Sequence, residues 1–97
     1  MRVIDYRRHL SGALQGFVTL ETESGFTISG IAVFSQAGRR WTALPTRPRL
    51  RDGKAQRANS GGFISDPVIE IKDRSRKDAW DHAVLTALDR YLEEMSA

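Results

Sequence analysis

The sequence predicts an α+β domain: an antiparallel meander of about five strands, followed by one C-terminal amphipathic helix packed on the sheet. Three observations carry this. Short runs of β-branched, aromatic and alternating residues, separated by glycine-bearing turns, fill residues 3–44. The period then changes: Trp80, Ala83, Val84, Ala87, Leu88, Tyr91, Leu92 and Met95 recur at spacings of three and four. A 97-residue chain with 40% hydrophobic and 28% charged residues has the size and composition of one domain, residues 1–97.

The first strand is read over residues 3–9, with Val3, Ile4 and Tyr6 early and charge at its end. Ser11-Gly12 breaks it. Residues 14–21 alternate, with Leu14, Gly16, Val18 and Leu20 on one face and Gln15, Phe17, Thr19 and Glu21 on the other. Ser24-Gly25 signals a hairpin into the third strand, residues 26–34. There Ile28 and Ile31 are out of phase, and a β-bulge at Gly30 would restore one buried face. Gln36-Ala37-Gly38 is the next turn, and residues 40–44 form the fourth strand, stopped by Pro45. Residues 46–66 show no clear period and read as a long basic loop, functional or disordered. Residues 67–72 read as a fifth strand led by Pro67. Ser75 and Asp78 resemble a capping box at the helix start. Arg74/Asp78, Lys77/Asp81 and Arg90/Glu94 are spaced to pair along its solvated side.

Composition narrows the chemistry. There is no cysteine, so disulfides, thiolate metal sites and cysteine nucleophiles are excluded. No apolar run approaches the roughly 18 residues of a membrane span, and Met1-Arg-Val-Ile-Asp-Tyr-Arg-Arg lacks a signal-peptide core. A cytoplasmic protein with no membrane partner is the expectation. His9 and His82 stand alone. Asp66, Glu70 and Asp73 have no partner base, and no zinc-protease, serine-hydrolase or phosphate-loop motif occurs. Neither catalysis, a metal, a cofactor nor a small-molecule substrate is expected.

The strongest local signal is charge. Between residues 39 and 57 stand Arg39, Arg40, Arg47, Arg49, Arg51, Lys54 and Arg57, seven basic residues against Asp52 alone, a net of +6. The whole chain is +3, so the remainder sums to −3. A basic segment on an otherwise acidic domain points to an anionic partner, and arginine forks suit phosphate. Arg74, Arg76 and Lys77 form a second, smaller cluster, which Asp73, Asp78 and Asp81 could neutralise. Trp41 either stacks a base or fills the core; Phe17, facing away from Val18 and Leu20, suits stacking or a dimer contact. Trp80, Phe26 and Phe34 read as core.

Val18-Thr19-Leu20, Phe26-Thr-Ile-Ser-Gly-Ile-Ala-Val33, Gly38, Trp41-Thr-Ala-Leu-Pro-Thr-Arg47 and Asp52-Gly53 occur in the order of an I-T-L strand, an F-V-V-x-D-I-R-V strand, a glycine turn, an aromatic strand closing in A-M-P-S-K, and a D-G. Val3-Ile4-Asp5-Tyr6-Arg7 matches an opening V-T-D-V-R. Arg76, Ala83-Val84-Leu85 and Tyr91 match a helix R-x-x-I-x-x-A-V-L followed by Y. In these positions the chain resembles the SpoVG family, the stage V sporulation protein G group of bacterial regulators. It departs where D-I becomes Gly30-Ile31 and where Pro48, Arg49 and Arg51 lengthen the loop. The resemblance implies a small, dimeric nucleic-acid-binding protein, with Arg47 as the matched basic position. By element order alone the chain is also similar to the positive-cofactor-four type of single-strand-binding fold.

The functional expectation is therefore a non-catalytic protein that captures DNA or RNA phosphates with its basic loop and works as a homodimer. The rival expectation is a protein-interaction module using the Pro/Arg-rich loop and a sheet edge.

Overall fold

A computed structural model describes residues 1–59 and 61–96. Four strands form one antiparallel sheet in the order β1 (Arg2–Ser11), β2 (Leu14–Glu21), β3 (Thr27–Gln36), β4 (Arg39–Ala43). Four shorter strands, β5 (Thr46–Pro48), β6 (Leu50–Arg51), β7 (Lys54–Ala55) and β8 (Ser65–Pro67), build a separate arm. One helix, α1 (Arg74–Ser96), closes the chain and packs across the sheet. The α+β class and the helix-on-meander order are as the sequence predicts. No helix among the described residues is long and apolar enough to cross a membrane.

The core is the inner face of the sheet against the helix. Val3, Val18, Leu20, Ile31 and Val33 meet Val84, Leu85 and Leu88, with Tyr6, Trp80, Ala87 and Tyr91 packed around them. The helical stripe is correct at its middle and fails at its end. Leu92 and Met95 are exposed because the last turns overrun the sheet's packed area, and Leu85 joins the core instead. The helix starts at Arg74, two residues earlier than a cap at Ser75 implies. Asp73 is the cap: its Oδ1 accepts the Arg76 N–H at 3.1 Å and the Ser75 hydroxyl at 2.7 Å.

Three of the sheet's four register shifts decide which residues face inward. Leu20 pairs with Ile28 and Val18 with Ile31, so Thr19 faces both Ser29 and Gly30. Gly30 sits at φ +77°, the left-handed conformation a bulge asks of this position, and Ile28 and Ile31 recover a common face. A second bulge, at Ile4, puts Val3 inward and Asp5 outward. The third corrects the alternation read for β2. Leu14 pairs with Phe34 while Gly16 pairs with Val33, leaving Gln15 as the extra residue. Leu14 therefore lies on the face opposite Gly16, Val18 and Leu20.

The expected fifth strand is not in the sheet. Only Ser65–Pro67 is paired, and with Thr46–Pro48 of the arm. Val68 N–H still reaches the Pro45 carbonyl at 3.3 Å, and then residues 69–71 splay off, leaving a cavity of about 260 Å³ against Thr42–Leu44. The Thr42 carbonyl on β4 accepts the Lys77 ammonium at 2.8 Å rather than an N–H from this segment.

Gly16 marks the tightest point of the sheet. A Cβ there would fall inside contact distance of the Arg7 carbonyl oxygen and 2.8 Å from the Tyr6 ring, whereas a Cβ at Gly62 meets nothing within 4 Å. Because the obstacle at Gly16 is backbone, Gly16→Ala should cost at least about 1–3 kcal/mol. Gly62→Ala should melt within about 0.5 kcal/mol of wild type. Thermal or urea unfolding of the two variants side by side checks this.

Candidate nucleic-acid interface

Two surfaces carry the residues that the sequence marks for binding. The first is the arm, which carries the four short strands β5–β8 where the sequence reads an aperiodic loop. Thr46, Arg47 and Pro48 pair with Pro67, Asp66 and Ser65; Leu50 and Arg51 pair with Ala55 and Lys54. Asp52 and Gly53, both at positive φ (53° and 78°), make the two-residue turn that a tight hairpin needs. A third pairing joins Arg57 to Phe63. At the centre three backbone bonds close a ring: Arg49 N–H to Ile64 O, Ile64 N–H to Gln56 O, and Gln56 N–H to Arg49 O, at 2.8–2.9 Å. One strand thus serves two hairpins, which no two-fold alternation in the sequence could announce. Its inner polar groups are satisfied by backbone instead of by a hydrophobic core.

Five basic side chains ride on this arm against Asp52 and Asp66, a net of +3. They are not equivalent. Arg49 donates from Nε at 3.3 Å and from Nη2 at 2.7 Å to Asp66. That hydrogen bond, with the nearby charges of Arg49 and Arg47, holds the Asp66 carboxyl below its usual range. Arg49 is therefore a strut between the arm's two sides. Arg57 lies 4.6 Å from the centroid of Phe63. Arg47 stands across the ladder from Asp66. Arg51 and Lys54, a cross-strand pair beside the turn, are exposed and form no ion pair among the described residues. Arg47, Arg49 and Arg51 are therefore not equally available to an external anion: Arg49 is already engaged by Asp66.

The second surface is the open face of the sheet, away from the helix. Register places Phe17, Ala32 and Ala43 in one row across it and Leu14, Phe34 and Trp41 in the next. Trp41 is half-buried and stacks on Phe34 at 5.5 Å with a 9° interplanar angle, and the Arg39 guanidinium lies 5.5 Å from the Trp41 ring. Phe17 is 38% exposed, with the His9 ring 6.2 Å away and Arg7 directly across the ladder. Of the two readings left open for Trp41, the core one is overturned: Thr42, not Trp41, is the β4 residue buried beneath the helix. Phe34, read as core, belongs to this open face. Its alternation with Val33 held the signal, but the unseen Gln15 bulge made the neighbouring strand's phase misleading. Phe26, also read as core, is 69% exposed.

Arg40 and Lys77, both expected to contact phosphate, are ion-paired within the fold. Arg40 forms a two-bond fork with Asp89 of the helix, at 2.9 and 3.0 Å. Lys77 is clamped by both carboxylate oxygens of Asp81, at 2.7 and 2.8 Å, and by the Thr42 carbonyl. Arg74 and Arg76 remain exposed in the first helical turn. Of the three i,i+4 pairs expected, only Lys77–Asp81 closes among the described residues, and it lies partly buried rather than on the solvated side. Searches of the chain against protein-family models, curated proteins and solved structures return no match.

The Arg40–Asp89 fork makes a measurable claim. Asp89 is held below the usual carboxylate range first by its hydrogen bond from Arg40. A lowered folded-state pKa contributes stability above the unfolded value, about 3.9, that is lost as pH falls through the folded value. Both side chains are nearly half exposed, at 44% and 47%, so solvent screening limits the effect to roughly 0.5–1 kcal/mol. Arg40→Gln should lower the unfolding free energy at pH 7 by that amount, and the gap to wild type should narrow as pH falls below about 3.9 toward the lowered folded value. Paired urea titrations at pH 7 and pH 3 check it.

Proposed function

We propose that this protein binds nucleic acid without catalysing a reaction, gripping phosphates with the β-arm and meeting bases on the open sheet face. The observation that carries the reading is the separation of cations by role. Arg40, Arg49 and Lys77 are paired with carboxylates of the fold, while Arg51 and Lys54, on either side of the Asp52-Gly53 turn, form no ion pair among the described residues. A fold that neutralises its internal cations and keeps a pair free on a rigid hairpin favours an external anion. Phosphate supplies that anion at regular spacing, and contact with it releases condensed counterions. The exposed edge of the Phe17, Phe34 and Trp41 group adds aromatic surface, with Arg7 and Arg39 beside it, of the kind that stacks unpaired bases. The family likeness read from the sequence agrees with this assignment.

Replacing Arg47, Arg51 and Lys54 together by Gln tests the grip. Binding to mixed-sequence oligonucleotides, followed by fluorescence anisotropy from 50 to 300 mM salt, should weaken by a similar factor for every sequence. The slope of log K against log salt should flatten by about two to three, at roughly 0.7–0.9 per lost contact. Arg40→Gln serves as the control and should keep the wild-type slope. A triple variant with an unchanged slope would remove the arm from the interface and turn the reading toward a protein-interaction module.

A further inference from the structure

β1 is an edge strand of ten residues, its outer backbone groups unpaired within the protomer. Natural edges of that length are blunted or covered. Here two irregularities, at Ile4 and at residues 9–10, bound a regular window of four residues, Asp5 to Arg8. Beside it Leu10 is 59% exposed and Ile4 40% exposed. An open cleft of about 560 Å³ runs along the start of the same strand, lined by Met1, Val3 and Tyr91 together with the charged Arg2, Arg90 and Glu94.

We propose that this edge pairs antiparallel with β1 of a second copy of the chain, with Tyr6 of each copy on the two-fold axis. The register follows from charge. A two-fold axis perpendicular to the sheet leaves each side chain opposite one on the same face, so the axis must pass beside one residue of the window. With Asp5, Arg7 or Arg8 on the axis, like charges stand directly opposite, which is destabilising. With Tyr6 on the axis, Asp5 of each copy stands opposite Arg7 of the partner subunit, twice over. Within one protomer Arg7 and Asp5 approach to 3.5 Å along the same strand, so the dimer exchanges two local pairs, one in each copy, for two across the seam.

The opposite edge does not offer this. The charged residues of β4 are Arg39 and Arg40, with no acid between them, and Arg40 is held by Asp89. Pairing through β1 yields an eight-stranded sheet with both helices on one side, both aromatic faces on the other, and both arms at the far edges. It stands on β1 alone and does not depend on the nucleic-acid reading.

The chain has no cysteine, so introduced ones report cleanly. Directly opposed antiparallel residues bring Cα atoms to about 4.5–5.5 Å, within disulfide reach. Light scattering at tens of micromolar should give twice the 10.9 kDa protomer mass. Asp5→Cys and Arg7→Cys, co-refolded as an equal mixture and mildly oxidised, should cross-link several-fold more than either alone. Asp5→Arg should shift the mass to monomer, and the double exchange Asp5→Arg/Arg7→Asp should restore the dimer. A wild-type monomer overturns the proposal and leaves the edge to a different protein. Cross-linking by one variant alone as efficiently as by the mixture overturns the register. A dimer that cross-links in none of the three samples, or that survives Asp5→Arg, overturns the surface.

Discussion

The Lys77 ammonium is the point on which the architecture turns. It lies between the Asp81 carboxylate and the Thr42 carbonyl, and the Thr42 hydroxyl donates to the same carboxylate. Thr42 is the buried polar residue of the core, at 2% exposure, so its hydroxyl needs a partner inside the protein. Asp81 supplies it, and Lys77 balances the charge that Asp81 brings. This one cluster joins the start of the helix to β4 and gives the helix its crossing position over the sheet. It also engages the β4 carbonyl beside which residues 69–71 turn away. A helix fixed on one face leaves the other face open, and an edge that ends at β4 lets the chain run outward as the arm.

Alternation revealed where strands exist better than which way they face. Gly30 was legible because Ile28 and Ile31 clash in phase and a glycine stands between them. Gln15 was not: it interrupts β2 with no glycine and no phase clash, since Leu14 is apolar on either reading. The cost of that one hidden residue was the assignment of Phe34 and the ambiguity of Trp41. The helix middle was legible because Val84 and Leu88 must be buried to hold the sheet. Its last two turns were not, because an apolar stripe does not say where the sheet beneath it ends.

The basic segment shows the same limit in electrostatic form. Its charge was plain in the sequence, and its division of labour was not. Each engaged cation finds its acid far along the chain: Arg40 at Asp89, Arg49 at Asp66. Such pairs are set by tertiary placement, which a count of charges per window cannot register. Lys77–Asp81 is the exception in spacing, since i,i+4 is visible in sequence, yet its burial against Thr42 is not. What remains after these deductions is Arg47, Arg51, Lys54 and Arg57 on the arm, with Arg39 on the open face.

The arm's construction bears on how that set would act. Its ring of three backbone bonds ties strands 46–51, 54–57 and 63–67 together with little apolar burial; Leu50 and Phe63 are 63% and 60% exposed. Order here comes from hydrogen bonds, the Arg49–Asp66 strut and the tight Asp52-Gly53 turn rather than from a core. A segment of that kind keeps its cations at fixed spacing, so less conformational freedom is lost when they meet a ligand than a flexible loop would lose. It also has low local stability compared with the sheet, because solvent reaches most of its bonds. The physical consequence is a division of labour: an aromatic face whose geometry is set by the helix behind it, and an arm whose own backbone bonds hold its charges in register.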